Sequence, residues 1–218
     1  MRTLYHCLDA RSFRPLWTLE ELELSYQLHL LQFPPRAFAK EFKEINPLGT
    51  VPAYIDENGL MTESAAICQY LVTRHGPSLL AVDVGEPDYG AWLQWLHFGE
   101  ATLTFPQTLL LRYGRFDPEE RRQPQVVEDY RAWFLGRLRA VDTALGGREY
   151  LCAGRFTVAD ISVGYALLLA ESLGMAKEFQ PALAAYWQRL QNRPAFQRAD
   201  RILKDRALEL GLTSPLAR

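Results

Sequence analysis

Asn46-Pro47-Leu48-Gly49-Thr50-Val51-Pro52 runs into Ala53 to Ile55, then through Glu57-Asn58-Gly59 to Leu60-Met61 and the pair Glu63-Ser64. A proline at the start of a strand donates nothing to the ladder and fits where the preceding peptide turns tightly, often in cis geometry. The N–H and C=O of Val51 would then face outward, able to pair with an extended peptide laid beside the sheet edge. Asn-Gly favours a two-residue hairpin turn because both positions tolerate positive φ, so Ala53 to Ile55 and Leu60-Met61 are expected as antiparallel strands. From Glu63 to His75 the spacing becomes helical through Ile67, Tyr70 and Leu71, and Gly76-Pro77 stops it. A Ser64 hydroxyl at a helix start can cap free amides or bind a ligand carboxylate, helped by the helix N-terminus, while Glu63 can hold an ammonium. Together they suit a zwitterionic α-amino acid head group; a plain capped helix start is the alternative.

Upstream, Thr3 to His6 reads as a strand, and Ser12 opens an amphipathic helix with Leu16, Leu19 and Leu22 along one side. Tyr26 to Leu30 alternates with the period of a strand and is broken by Pro34-Pro35, and a short mixed segment spans Phe38 to Ile45. The order is β-α-β-α-β-β-α over residues 1–77, with a Gly, Pro, Ser and Asp-rich linker at 78–87. Residues 88–218 read as all-helical, with runs over about Asp88 to Arg115, Glu119 to Leu145, Val158 to Leu173 and Ala182 to Arg193, and a weakly ordered tail after about 205. In Phe156-Thr157-Val158-Ala159-Asp160, Thr157 can cap the first amides while Asp160 reaches back to the cap. The almost wholly apolar stretch behind it is expected to be a buried helix.

The 218 residues are 48% hydrophobic with 24 basic and 26 acidic side chains, which excludes disorder and offers no electrostatic footprint for nucleic acid. No apolar run reaches bilayer length and no signal peptide opens the chain, so a cytosolic protein without membrane contact is expected. Cys7, Cys68 and Cys152 have neither disulfide-framework nor zinc spacing, and His6, His29, His75 and His97 show no metal motif, so no metal is expected. Cys7 reads as a packed thiol.

The Asn46 to Pro52 loop, the Glu63-Ser64 pair, the Phe156 to Asp160 box and Arg193-Pro194-Ala195-Phe196, in this order on this element pattern, resemble a cytosolic glutathione transferase across nearly the whole chain. The closest-looking members are bacterial and fungal, and the chain reads as a bacterial one. The resemblance implies an α+β protein: a thioredoxin-like N-terminal domain that binds glutathione as co-substrate, and an all-helical C-terminal domain that covers a small electrophile. It also implies a homodimer and a role in detoxification. Carried over by residue, Val51 beside cis-Pro52 binds the cysteinyl backbone of glutathione, Glu63 and Ser64 its γ-glutamyl end, and Arg36 the glycyl carboxylate. Leu8, Phe105, Leu109, Arg112 and Tyr113 are the second-substrate candidates, although such a helical stripe also suits simple core.

The thiolate is the nucleophile in this chemistry, so a donor to the sulfur is expected in Leu8-Asp9-Ala10-Arg11-Ser12-Phe13-Arg14. Related members read Ser-Arg-(Ser/Ala)-x-Arg there, and Ala10 replaces the first Ser. Ser12 is the preferred donor, Arg11 a second acting through charge, and amides at the helix start a third; a helix cap is the plain role for Ser12. Peroxidase, dehalogenase and isomerase chemistry use the same thiolate, and a non-catalytic glutathione-binding module is the alternative that Ala10 favours.

Overall fold

The computed structural model describes residues 1–216; Ala217 and Arg218, the end of the expected tail, lie outside the described residues. Four strands form one sheet in the order β2-β1-β3-β4: β1 (Thr3–His6), β2 (Gln27–Leu30), β3 (Ala53–Asp56) and β4 (Gly59–Met61). β1 runs parallel to β2 and antiparallel to β3, and β3 antiparallel to β4. Joined by α1 (Phe13–Glu21), α2 (Pro35–Phe38), a 3-10 turn at Lys40–Glu44 and α3 (Ser64–Arg74), this is the expected thioredoxin-like arrangement. The hairpin differs by one residue. Asp56 pairs with Gly59, so the turn residues are Glu57-Asn58, and Asp56 fixes them by accepting from the Asn58 amide at 2.8 Å. An Asx turn thus outcompetes the Asn-Gly preference.

The remainder is helical: α4 (Tyr89–His97), α5 (Phe105–Leu111), α6 (Pro124–Leu145), α7 (Val158–Ser172), α8 (Pro181–Gln191) and α9 (Pro194–Leu210). The run expected over Asp88 to Arg115 is interrupted by π-helical turns at Phe98–Thr104 and Arg112–Phe116. The first sits where α7 comes closest. Ser162 Oγ donates to the Leu96 carbonyl at 2.6 Å, and a Cβ at Gly99 would lie 2.5 Å from Ser162, so only glycine admits this approach. The Thr157–Asp160 capping box forms at the start of α7.

Contacts divide the chain into two compact units, 1–81 with 191–218, and 82–190. The helical part, 88–218 in the sequence reading, is therefore shared between them, because α9 packs on α1. Phe196 meets Trp17 edge-on at 5.0 Å and Phe13 at 5.3 Å. Arg193 pairs with Glu21 in a fork at 2.6 and 2.8 Å, and Arg198 with Glu20 at 2.9 Å. Pro194 opens α9, which continues past the expected limit near 205 to Leu210 and is closed by Gly211 at φ +63°. Among the described residues no helix is long and apolar enough to cross a membrane.

Candidate functional site

Three segments converge at one end of the sheet in the first unit. Tyr5 pairs with Ala53, so the loop leaving β1 and the residues preceding β3 lie side by side there. α1 begins at that loop and packs against α3. The two helix starts are joined directly, since Arg14 Nη1 donates to Ser64 Oγ at 3.2 Å with both residues buried.

The Asn46 side chain shapes the second segment. Its Nδ2 donates to the Thr50 carbonyl at 2.7 Å, its Oδ1 accepts from the Leu48 amide at 3.2 Å, and its carbonyl accepts from Gly49 N at 2.8 Å. Gly49 has φ +59°, and a Cβ there would stand 2.8 Å from Arg36 Cβ, so the loop's turn and its contact with Arg36 both require glycine. This seats the exposed Arg36 against the loop. Val51-Pro52 is cis, and neither backbone polar group of Val51 has a hydrogen-bond partner among the described residues. The Val51 side chain packs on the cluster around Phe42, which fixes the peptide while its edge stays open.

At α3, Glu63 takes the N-cap position and Ser64 is the first helical residue. The Glu63 side chain is exposed and has no hydrogen bond or ion pair among the described residues, whereas Ser64 is 2% exposed. An unpaired carboxylate thus stands beside a hydroxyl and the positive end of a helix, a combination suited to an ammonium and a carboxylate one carbon apart.

In the β1–α1 loop, Leu8, Ala10 and Arg11 are half-buried, and Asp9, at φ +57°, accepts a hydrogen bond from Ser214 Oγ. Ser12 lies beneath the loop. It is fully buried, its hydroxyl has no partner among the described residues, and it makes no side-chain cap. Its neighbour His6 is also fully buried without a partner for either ring nitrogen. Burial pushes the His6 imidazole down to about 3, offset in part by the backbone of Ser12. Burial likewise pushes the Cys7 and Cys68 thiols up to about 12, as expected of packed cysteines.

His6 has a consequence for stability. Its folded-state pKa lies below the unfolded value of 6.5, so unfolding takes up a proton between those limits. Its contribution is complete above pH 6.5 and is lost as pH falls toward 3. Between pH 7.5 and 5.5 the parent should lose about 1.4 kcal/mol more in urea unfolding than His6→Gln. Identical pH dependence in the two proteins would exclude this role.

The other candidates belong to the second unit. Phe105, half-exposed, opens onto a hollow of about 270 Å³ lined also by Tyr130, Trp133 and Arg137. Arg112 stands 5.5 Å over the Tyr113 ring and 4.0 Å from Asp117, so its charge is already partnered. Leu109 is half-buried on the same helix.

A family model described as glutathione S-transferase, N-terminal domain, matches residues 2–73, and one described as glutathione S-transferase, C-terminal domain, matches residues 109–194. GstA of Escherichia coli O157:H7 is 31% identical over 160 residues, covering 73% of this chain and 76% of that one. The chain belongs to the glutathione S-transferase family. Glutathione S-transferase 3 of Schizosaccharomyces pombe is 25% identical over 96% of this chain and 91% of its own length. Among solved structures, the glutathione transferase URE2P6 from Phanerochaete chrysosporium, in complex with oxidized glutathione, superposes with a TM-score of 0.80 at 30% identity. It covers 92% of this chain and 94% of that one.

For a glutathione S-transferase, one feature of this site is not singled out by sequence, the Asn46 brace, and the sequence pattern that ends at Arg14 does not tell that this arginine is buried. Arg14 did carry a signal. It sits among Phe13, Pro15, Leu16 and Trp17, an apolar run in which a charge is unexpected.

Proposed function

We propose that this glutathione S-transferase binds glutathione along the open end of the sheet in its first unit and uses it, as thiolate, against a small, largely apolar electrophile. The observation that carries the reading is the convergence of the Val51 edge, the unpaired Glu63 with Ser64, and the start of α1. The Val51 N–H and C=O offer an antiparallel pairing to the cysteinyl residue, and the cysteinyl sulfur is thereby directed toward the loop after β1. Glu63 and Ser64 hold the γ-glutamyl ammonium and carboxylate, and Arg36, beside Gly49, takes the glycyl carboxylate in a forked contact. The Phe105, Leu109, Arg112 and Tyr113 stripe of the second unit is proposed for the second substrate. The relationship to Escherichia coli GstA supports a bacterial origin, and the family supports a homodimer.

Thiol activation is assigned differently from the sequence expectation. A free thiol near pKa 8.5 is mostly protonated at neutral pH, so a positive or donating group must favour the thiolate. The Ser12 hydroxyl is fully buried and without a partner among the described residues, which favours a group other than Ser12. The positive end of α1, with Arg11 in the loop leading to it, takes that role. Ser12→Ala, which deletes an unpartnered buried hydroxyl, should therefore leave stability within about 1 kcal/mol and turnover within about threefold of the parent. A larger fall in kcat with a reactive aromatic halide, at unchanged glutathione affinity, would restore Ser12 as the donor.

Ala10 and the enclosed Ser12 favour a second reading, a glutathione-binding module without turnover. Calorimetry with glutathione and kinetics with an aromatic halide and an organic hydroperoxide separate the two. Binding with catalysed turnover is expected, binding alone supports the module, and no heat of binding overturns the glutathione reading altogether.

A further inference from the structure

We propose that the hollow between α5 and α6, within the second unit, is a binding site for a planar aromatic carboxylate, with Arg137 as its anion-binding group. The hollow holds about 270 Å³, just under the range of pockets for drug-sized ligands, which suits one or two fused rings. Phe105 and Pro106 at the start of α5 and Tyr130 and Trp133 on α6 form its aromatic and apolar walls. Leu109, Arg112 and Tyr113 do not line it, so Phe105 alone is shared with the stripe assigned to the second substrate. Residues 130, 133 and 137 lie three and four positions apart and follow one stripe of α6. The Tyr130 and Trp133 rings are parallel to within 10° with centroids 5.6 Å apart, and the Arg137 guanidinium stands 5.0 Å from the centre of the Trp133 ring.

Contact with the indole orients the guanidinium and uses none of its N–H donors. Arg137 has no hydrogen bond or ion pair among the described residues, and among those lining the hollow it is the one charged side chain. The hydroxyls of Thr102 and Tyr130, also on the lining, have no hydrogen-bond partner among the described residues either. A carboxylate matches the fork of the guanidinium, and the hydroxyls can donate to it as well. The attached rings cover aromatic surface now left to water, since Phe105 is 53% and Trp133 50% exposed. A neutral arene leaves the guanidinium without an acceptor, an aliphatic acid forgoes the ring contacts, and an ammonium is repelled. An aromatic acid satisfies both halves of the site.

The test is carried out without glutathione, so its failure leaves the glutathione reading standing. The parent, Arg137→Gln and Trp133→Ala are titrated with β-naphthoate and with the neutral β-naphthylmethanol, and binding is followed by ligand-observed NMR. The parent should bind naphthoate with a dissociation constant of about 0.1–1 mM and about tenfold more tightly than the alcohol. Arg137→Gln should weaken naphthoate about tenfold and change the alcohol by less than about twofold. Trp133→Ala should weaken both ligands about tenfold. If Trp133→Ala does not fold, the ratio between the two ligands in Arg137→Gln, where an exposed side chain is replaced, decides. No binding of naphthoate by the parent, equal affinity for the two ligands, or equal losses for both in Arg137→Gln overturns the proposal. Size-exclusion chromatography of the same proteins tests the other occupant. A parent that takes up no naphthoate and forms an assembly that Trp133→Ala dissociates assigns the hollow to a second copy of the chain, and likewise overturns it.

Discussion

Asp160→Ala is expected to destabilise the protein by about 3–5 kcal/mol, read as a shift in the urea midpoint at unchanged slope. Asp160 is fully buried and accepts from the Thr157 amide at 2.8 Å, the Leu151 amide at 3.1 Å and the Tyr186 hydroxyl at 2.8 Å. Alanine leaves these donors buried without an acceptor, at roughly 1–3 kcal/mol each, and removes half of the capping box. One effect opposes this. Burial pushes the Asp160 carboxyl up to about 6, so the ionised form costs about 3 kcal/mol relative to the unfolded chain. Several orphaned donors outweigh that relief. The sign of the pH dependence follows: between pH 3.8 and about 6 the folded parent holds a proton that the unfolded chain releases, so Asp160 contributes less as pH rises. The deficit of Asp160→Ala should accordingly be larger at pH 4.5 than at pH 7.5. A deficit below 1 kcal/mol, or the reverse trend, contradicts this account.

Ser64→Ala should weaken glutathione binding about 10- to 100-fold, the range for a hydrogen bond to a charged group. The residue is buried and accepts from Arg14, so the substitution removes a donor to the ligand and strips the guanidinium of one acceptor. Some loss of thermal stability should accompany the loss of affinity. Calorimetry with glutathione measures the first and thermal unfolding the second. Unaltered affinity in a folded Ser64→Ala protein would remove Ser64 from the site.

Much of the architecture could be read in the sequence because its signals are local. Pro52 before an apolar run, the helical spacing after Ser64 and the Thr157–Asp160 spacing each depend on neighbours within a turn or a strand. The hairpin shows how narrow such margins are, since a single Asp56–Asn58 hydrogen bond moved the turn by one residue. The Arg193-Pro194-Ala195-Phe196 stretch was visible as a motif, but its purpose was not. Arg193 finds Glu21, and Phe196 finds Trp17, across more than 170 positions, and no periodicity encodes that distance. Ser12 illustrates the converse. Its sequence position fits a cap or a donor equally well, and only burial distinguishes a hydroxyl beneath the loop from one upon it.

The return of α9 to α1 bears on how such chains can be recombined. The first 81 residues lack the aromatic wedge and the two arginine clasps that close α1 from outside. A chimera exchanging catalytic halves between relatives must therefore transplant the last thirty or so positions along with the amino-terminal portion. Any cut made between residues 81 and 82 alone would leave Glu20 and Glu21 facing a stranger's arginines, or none.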